Sequence, residues 1–210
     1  MEWNNFVDNV QRWARERGIY EYSTALMQSY KSLSEYGELA DALAKGNTHS
    51  TKDGIGDVSV TVVNVAAIVG ADIYRDHKFN GRTPRAMFEL HEALGIMLNE
   101  TSKLKGGVKD NVSEAASRAF GALAAIAHNE HLAFHDCLAT AWDAIKDRKG
   151  QMVEGGVFIK EESSAEQRLA ELKDEMARLE EQMEAIGAGG VTRGQRLMNR
   201  REHQQEADNE

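Results

Sequence analysis

Proline occurs only once in this chain of 210 residues, at Pro84, and 7% of the residues are aromatic. Because proline interrupts helices and inner strands, its scarcity leaves long stretches free to form continuous helices. Apolar residues recur at spacings of three and four in most of these stretches, which is the period of an amphipathic helix. With 41% hydrophobic residues to form a core, we predict an all-α fold.

The periodicity places helices at residues 3–17, 23–45, 51–70, from Pro84 onward, 112–128 and 132–149, with a loop over residues 74–83. Ser23 or Thr24 is the expected N-cap of the second helix, and Ser50 or Thr51 that of the third. We expect the apolar side of the second helix at Leu26, Tyr30, Leu33, Gly37, Ala40 and Leu43. Met152-Val153 and residues 157–159 flank Glu154-Gly155-Gly156, a pattern that predicts a small β-hairpin.

The third segment carries conflicting signals. Val58, Val60 and Val62 alternate as in a strand, and β-branched residues favour strands. Apolar residues from Ile55 to Val69 instead step by three and four, over a length that exceeds a typical strand. We therefore predict a helix, on which Asp53, Asp57, Thr61 and Asn64 form a polar stripe.

The chain divides into a body and a tail. We predict a helical domain over residues 1–160, with an acid-bearing half (1–82) and a degenerate second half that includes the hairpin (84–160). From residue 161 to 187 we predict a coiled-coil helix, followed by a flexible tail over residues 188–210. The heptad seam consists of Leu169, Leu172, Met176, Leu179, Met183 and Ile186. It favours a homo-oligomer; packing back onto the domain is the alternative.

The second half of the body resembles the first. VNVAAIVGADI (63–73) is similar to GALAAIAHNEH (121–131), and Glu89 and Glu92 form another ExxE pair. This indicates a weak repeat in which only the first half keeps its full set of acids. Chance similarity between alanine-rich helices explains the pattern equally well.

Charge and hydropathy exclude several functions. The net charge is −9 with no basic stripe, so we expect no binding to duplex nucleic acid. No apolar run approaches the ~20 residues of a membrane span, and the charged N-terminal segment is unlike a signal peptide. The single cysteine, Cys137, suits a reducing compartment. We expect a cytoplasmic protein, in the host cytoplasm if it is phage-encoded.

Carboxylates on two adjacent segments are the main functional signal. Glu35 and Glu38 lie three residues apart, and Asp53 and Asp57 lie four apart, so each pair shares one helix face. If the two helices are antiparallel, the four acids converge. Hard cations such as Mg²⁺, or Mn²⁺ in its place, bind oxygen ligands of this kind, and Mg²⁺ indicates phosphate chemistry. A solvated polar surface is the alternative.

Histidines offer a second candidate site. His128, His131 and His135 are spaced by three and four, with Asp136 adjacent. On one continuous helix they would form a transition-metal site. A turn near Asn129 would break that face, so we favour exposed histidines.

The acid-bearing segments resemble the MazG-like, all-α nucleoside triphosphate pyrophosphohydrolases. QSYKSLSEYGEL is similar to the family's ExxE helix, and GIGDVSVTVVNVA to its ExxD helix. The resemblance depends on Gln28, Lys31, Glu35, Glu38, Gly56 and Asp57. Two positions depart from the pattern. Ser34 stands where the family has a glutamate directly before Glu35, and Gly54 stands where the family has the glutamate of ExxD, with Asp53 the nearest acid that could replace it.

The resemblance implies a MazG-like helical bundle that cleaves a nucleoside triphosphate to a monophosphate and pyrophosphate with Mg²⁺. It implies metal ligands at Glu35, Glu38, Asp53 and Asp57, with Glu35 or Glu38 also accepting a proton from the attacking water. Gln28, Lys31 and Asn64 would bind the substrate. A non-catalytic relative that binds a nucleotide or protein, and assembles through its C-terminal helix, is the alternative that Gly54 favours.

Overall fold

The structure is a computed structural model that describes residues 1–74, 77–103, 108–153 and 157–160, together with five positions of the tail: Leu169, Leu172, Lys173, Met176 and Arg178. The chain separates into two compact units, Met1–Glu161 and Glu162–Glu210.

The fold class is all-α, as predicted. The helices are α1 (Trp3–Glu16), α2 (Ile19–Tyr22), α3 (Ala25–Ala44), α4 (Thr48–Val69), α5 (Thr83–Thr101), α6 (Val108–Asn129) and α7 (Phe134–Ile145). Two strands follow, β1 (Gly150–Val153) and β2 (Val157–Lys160), which pair antiparallel with Gly150 opposite Lys160 and Val153 opposite Val157.

Helix α4 lies at the centre of the first unit. It packs against α1, α3, α6 and α7, and its valines at positions 58, 62 and 65 are completely buried. The prediction of a helix over this valine-rich segment is confirmed, because only a helix buries residues at spacings of three and four together. Helices α5 and α6 pack against each other as a second helical pair, with Pro84 in the first turn of α5.

Several predicted boundaries were wrong. Asn47, rather than Ser50 or Thr51, caps α4, so this helix begins before the predicted segment. Helix α6 begins before Val112, and α7 occupies only Phe134–Ile145 of the predicted 132–149. Gly18, in the left-handed region at φ 70°, separates α1 from a short α2 that the periodicity did not predict.

The predicted apolar face of α3 was also wrong. Its buried residues are Ser29, Ser32, Glu35, Leu39 and Ala42. Tyr30 is 52% exposed, and Leu26 and Leu33 are only half-buried. The helix thus turns Glu35 inward, toward α4.

In the part of the chain that the structure describes, no helix is both long and apolar enough to cross a membrane. In the tail, Leu169, Leu172 and Met176 are helical and exposed. The other seam positions, Leu179, Met183 and Ile186, and the predicted flexible segment 188–210 lie outside the described residues, as does the predicted hairpin turn 154–156.

Candidate functional site

Two capped helices carry the four acids. Thr24, one of the two residues predicted to cap α3, is its N-cap: the Thr24 hydroxyl accepts a hydrogen bond from the Met27 amide at 3.2 Å. The Asn47 side chain accepts one from the Ser50 amide at 3.1 Å at the start of α4. Because only residues 45–47 separate the two helices, they form a hairpin that brings the ExxE segment of α3 opposite the first turns of α4.

Two glycines let α4 approach its neighbours beside the acids. A Cβ atom at Gly54 would stand 3.1 Å from the Leu39 Cα atom of α3. A Cβ atom at Gly56 would stand 2.6 Å from the Cys137 carbonyl oxygen and 2.6 Å from the Ala141 Cβ atom of α7. Gly54 therefore has a packing role: a larger side chain at this position would require Leu39 of α3 to shift by a few tenths of an ångström.

The two glutamates of α3 differ in environment. Glu35 is buried, and its Oε1 atom lies 2.6 Å from the Lys31 Nζ atom one turn earlier. Glu38 is exposed and, among the described residues, forms no ion pair. Lys31, predicted to bind substrate, is itself exposed. Its ammonium group therefore remains accessible from solvent while it neutralises Glu35.

The pKa of Asp57 is raised by burial and by the other three acids. Burial and the nearby carboxylates of Asp53, Glu35 and Glu38 raise the pKa of Asp57 to about 7, against the opposing effect of Arg148. Such mutual repulsion requires the four groups to be close. The structure therefore brings the predicted acids into one electrostatic cluster between α3 and α4.

The chemistry of this set fits Mg²⁺, which prefers carboxylate oxygens. Within the described ranges, however, no three Asp, Glu, His or Cys side chains stand close enough to hold one metal ion as they lie. Coordination of an ion by these acids would therefore require side-chain movement; Glu38 is exposed, and Asp53 and Asp57 are half-buried.

A polar network connects the remaining predicted site residues. Asn64 is buried; its Oδ1 atom accepts a hydrogen bond from the Tyr20 hydroxyl at 3.1 Å, and its Nδ2 atom donates to the Gln28 Oε1 atom at 3.5 Å. Gln28 in turn donates to the Ser23 hydroxyl at 3.1 Å.

Thr61, also in the predicted polar stripe, is buried and donates to the Val58 carbonyl. This end of the stripe is interior, not a solvated face.

The sequence patterns missed two residues of this region. Tyr20, from α2, fixes the orientation of the Asn64 amide; burial raises the pKa of its hydroxyl, with Arg15 opposing. Arg148, after α7, acts on Asp57 electrostatically. Its backbone is held because Arg17 donates from Nε to the Arg148 carbonyl at 2.9 Å and from Nη2 to the Lys146 carbonyl at 3.2 Å. Neither residue belongs to the two acid-bearing helices.

The second ExxE pair lies in a different environment. On α5, Glu89 is buried and Glu92 is exposed, as Glu35 and Glu38 are on α3. Arg118 of α6 faces both glutamates, and its hydrogen bond with Glu89 lowers the pKa of that carboxyl group. One guanidinium group therefore compensates part of the charge of the second pair, chiefly that of Glu89.

The histidines do not share a helix. His128 lies in α6, His131 in the following turn with φ 58°, and His135 in α7. The turn breaks the face that a metal site on one continuous helix would need, so the alternative of exposed histidines fits the structure: all three are exposed.

Comparison with known proteins gives one informative similarity. No protein-family model matches the chain, and no solved structure matches it. Over 60 residues the chain is 38% identical to an uncharacterized 18.2 kDa protein in the rep-hol intergenic region of Haemophilus phage HP1 (strain HP1c1). The matched stretch is 29% of this chain and 37% of the phage protein, so the chain spans little more than a third of that relative.

Proposed function

We propose that this chain is a Mg²⁺-dependent nucleotide pyrophosphohydrolase that converts a nucleoside triphosphate to a monophosphate and pyrophosphate. The observation that carries this function is the acid cluster, in which burial and three neighbouring carboxylates raise the pKa of Asp57 to about 7. Like charges held together destabilise a fold unless a cation compensates them, and such perturbed groups concentrate at functional sites. The resemblance of residues 28–57 to the MazG-like pattern supports the same activity.

In this proposal Glu35, Glu38, Asp53 and Asp57 would hold the metal ion, Mg²⁺ or Mn²⁺. When bound, the ion would neutralise negative charge on the phosphates and polarise the phosphorus that water attacks. Asp53 would supply the carboxylate that Gly54 lacks. Its proximity supports this role, because Asp53 is the acid that raises the pKa of Asp57 most strongly.

Two cations would bind the phosphate oxygens directly. Lys31 is exposed beside Glu35, and Arg148 is half-buried within electrostatic reach of Asp57. Both would offset charge that develops as the α–β phosphoanhydride bond breaks. Glu38 is the better acceptor for the proton of the attacking water, because Lys31 already engages Glu35.

The polar network would bind the base or sugar. Gln28 and Asn64 are amides, which both donate and accept hydrogen bonds. Tyr20 and Ser23 fix the orientation of these amides, which would reduce the entropy lost when a substrate binds. The similarity to a phage protein supports a phage origin of the gene. In this proposal the protein acts on nucleotides in the host cytoplasm.

A second candidate is a non-catalytic relative that binds a nucleotide or a protein and assembles through its tail as a homo-oligomer. Gly54 favours it, because the usual fourth carboxylate is missing. The exposure of Leu169, Leu172 and Met176 on a helix also supports it, since such a seam is normally covered by another helix.

Incubation of the full chain with Mg²⁺ and each NTP or dNTP separates the two candidates. The enzyme predicts a monophosphate and pyrophosphate in equal amounts, with no product when EDTA replaces Mg²⁺. Thermal stabilisation by a nucleotide without any product would instead support the binding protein and contradict the enzyme.

A further inference from the structure

The first unit contains an open cleft that shares no lining residue with the acid cluster. Its volume is about 720 Å³, within the range of cavities that bind small molecules. The N-terminal part of α1, the segment 77–82 before α5, the last turns of α6 and the start of α7 enclose it.

The charge of the cleft is opposite to that of the chain. No aspartate or glutamate lines it, whereas His77, Lys78, Arg82 and His128 do, and all four are exposed. None of the four forms a salt bridge with any residue that the structure describes. The nearby carboxylate of Glu130 is engaged by the Thr83 hydroxyl at 2.7 Å. On a chain of net charge −9, a lysine and an arginine in a cleft that no carboxylate lines indicate a site for an anion.

The walls and floor of the cleft suit a planar ring. Phe79 and Phe134 are half-buried, and Trp3 and Phe120 meet edge to face with ring centroids 4.3 Å apart. The α6 side of the cleft, which we call its floor, includes Gly121, Ala124 and Ala125, which present almost no side chain. Aromatic side chains of this kind stack on flat, polarisable ligands such as nucleobases.

The cleft is built into the packing of the unit. A Cβ atom at Gly121 would stand 2.5 Å from the His77 carbonyl oxygen, so this glycine allows the segment 77–82 to approach α6. The Asn129 Nδ2 atom donates to the Gly81 carbonyl at 2.8 Å and ties the same segment to the end of α6. The cationic residues are thus held over the small-residue floor.

We infer that this cleft is a second, metal-independent nucleotide site, which binds the base between its aromatic walls and the phosphate at Lys78 and Arg82. A single nucleotide matches its volume. A nucleic-acid strand is disfavoured, because the phosphates beyond the cleft would meet a chain with an excess of acids.

Fluorescence anisotropy of a methylanthraniloyl-labelled nucleoside monophosphate, with the full chain in EDTA, tests the site without the proposed metal chemistry. We expect saturable binding that Arg82→Glu weakens by about tenfold or more. Arg12→Glu is the matched control: it makes the same charge change at an exposed arginine of α1 and should leave binding unchanged. Ala125→Leu, which fills the floor, should also abolish binding, and a circular dichroism spectrum and melting curve would establish that each variant is folded.

Four results would overturn the site: no saturable binding, equal loss in Arg82→Glu and Arg12→Glu, competition by inorganic phosphate as strong as that by the nucleotide, or tighter binding of an oligonucleotide than of the monophosphate. Asp57→Asn, which changes the acid cluster and not the cleft, should retain this binding. Failure of the pyrophosphohydrolase proposal and failure of this site therefore give different results.

Discussion

The Arg118 Nε atom lies 2.6 Å from the Glu89 Oε1 atom, and the Arg118 Nη2 atom lies 3.6 Å from the Glu92 Oε2 atom. The first unit thus contains two ExxE pairs, in each of which the buried glutamate has a cation, but whose other charged neighbours differ. The second is compensated by a guanidinium group from its own helical pair, whereas the first faces further acids on α4. This contrast provides an internal control for every claim about the acid cluster.

Arg118→Ala should destabilise the fold by roughly 2–3 kcal/mol at neutral pH, because it leaves Glu89 buried without its cation. The pKa of Glu89 is lowered in the folded state. The stability that the pair contributes is therefore present above the unfolded pKa of glutamate and is lost as the pH falls through the folded pKa. Urea denaturation of both proteins at several pH values measures the difference in their free energies of unfolding. A variant as stable as the wild type at neutral pH would contradict the role of Arg118.

Asp57→Asn should stabilise the protein above neutral pH without divalent cations. Because the pKa of Asp57 is raised from 3.8 to about 7, its contribution to folding is fully present below pH 3.8 and is lost progressively as the pH rises to about 7. The asparagine variant has no such loss. Its advantage should be absent at low pH and reach a plateau above neutrality, at most about 4 kcal/mol before solvent screening.

Melting curves with and without Mg²⁺ extend this comparison. Mg²⁺ should raise the melting temperature of the wild type above neutral pH and leave that of Asp57→Asn nearly unchanged, because a bound ion stabilises only the state that holds it. Asp8→Asn, at an exposed position of α1, should behave like the wild type. An advantage of Asp57→Asn that is independent of pH would argue against the carboxylate cluster.

Gly56→Ala should destabilise the protein by about 1–3 kcal/mol, because the new methyl group collides with the backbone of α7. Gly37→Ala is the matched control on α3. A Cβ atom there has no neighbour within 4 Å, so removing a helical glycine should stabilise the protein by about 0.5–1 kcal/mol. Chemical denaturation gives both values, and shifts of the same sign would refute the close packing of α4 on α7.

Tyr20→Phe should destabilise the fold by about 1 kcal/mol, because it removes the hydroxyl that donates to the buried Asn64 amide. If Asn64 binds substrate, the variant should also raise KM more than it lowers kcat, since the amide loses its fixed orientation. Tyr22→Phe, in the same short helix but 60% exposed, should change neither quantity. Equal effects from the two variants would exclude a positioning role for Tyr20.

The helical period was sufficient to predict α4, because Ile55, Val58, Val62 and Val65 recur at that period and are completely buried. It failed on α3, where the buried face is polar. Ser29 and Ser32 can be buried there because their hydroxyls donate to the Ala25 and Gln28 carbonyls at 2.9 and 3.0 Å. A hydrophobic pattern does not identify such serines as buried, because it takes no account of hydrogen bonds from their hydroxyls to carbonyl groups of the same helix.

The spacing of acids predicts that Glu35, Glu38, Asp53 and Asp57 converge between two antiparallel helices, and the raised pKa of Asp57 agrees with that placement. The spacing did not indicate which arginines lie near the glutamates and aspartates. Arg148 and Arg118 come from other segments, and their positions depend on how α7 and α6 pack. The packing role of Gly54 likewise becomes visible only with Leu39 of α3 in place.

We propose that the first ExxE pair, and not the second, supports catalysis. The most direct test is the release of pyrophosphate from a nucleoside triphosphate by Glu38→Ala and Glu92→Ala, assayed side by side with Mg²⁺. These variants make the same truncation at exposed positions of the two pairs. We predict that Glu38→Ala lowers the rate by roughly 100-fold or more while Glu92→Ala retains nearly full activity; equal rates in the two variants, or no turnover by the wild type, would contradict the claim.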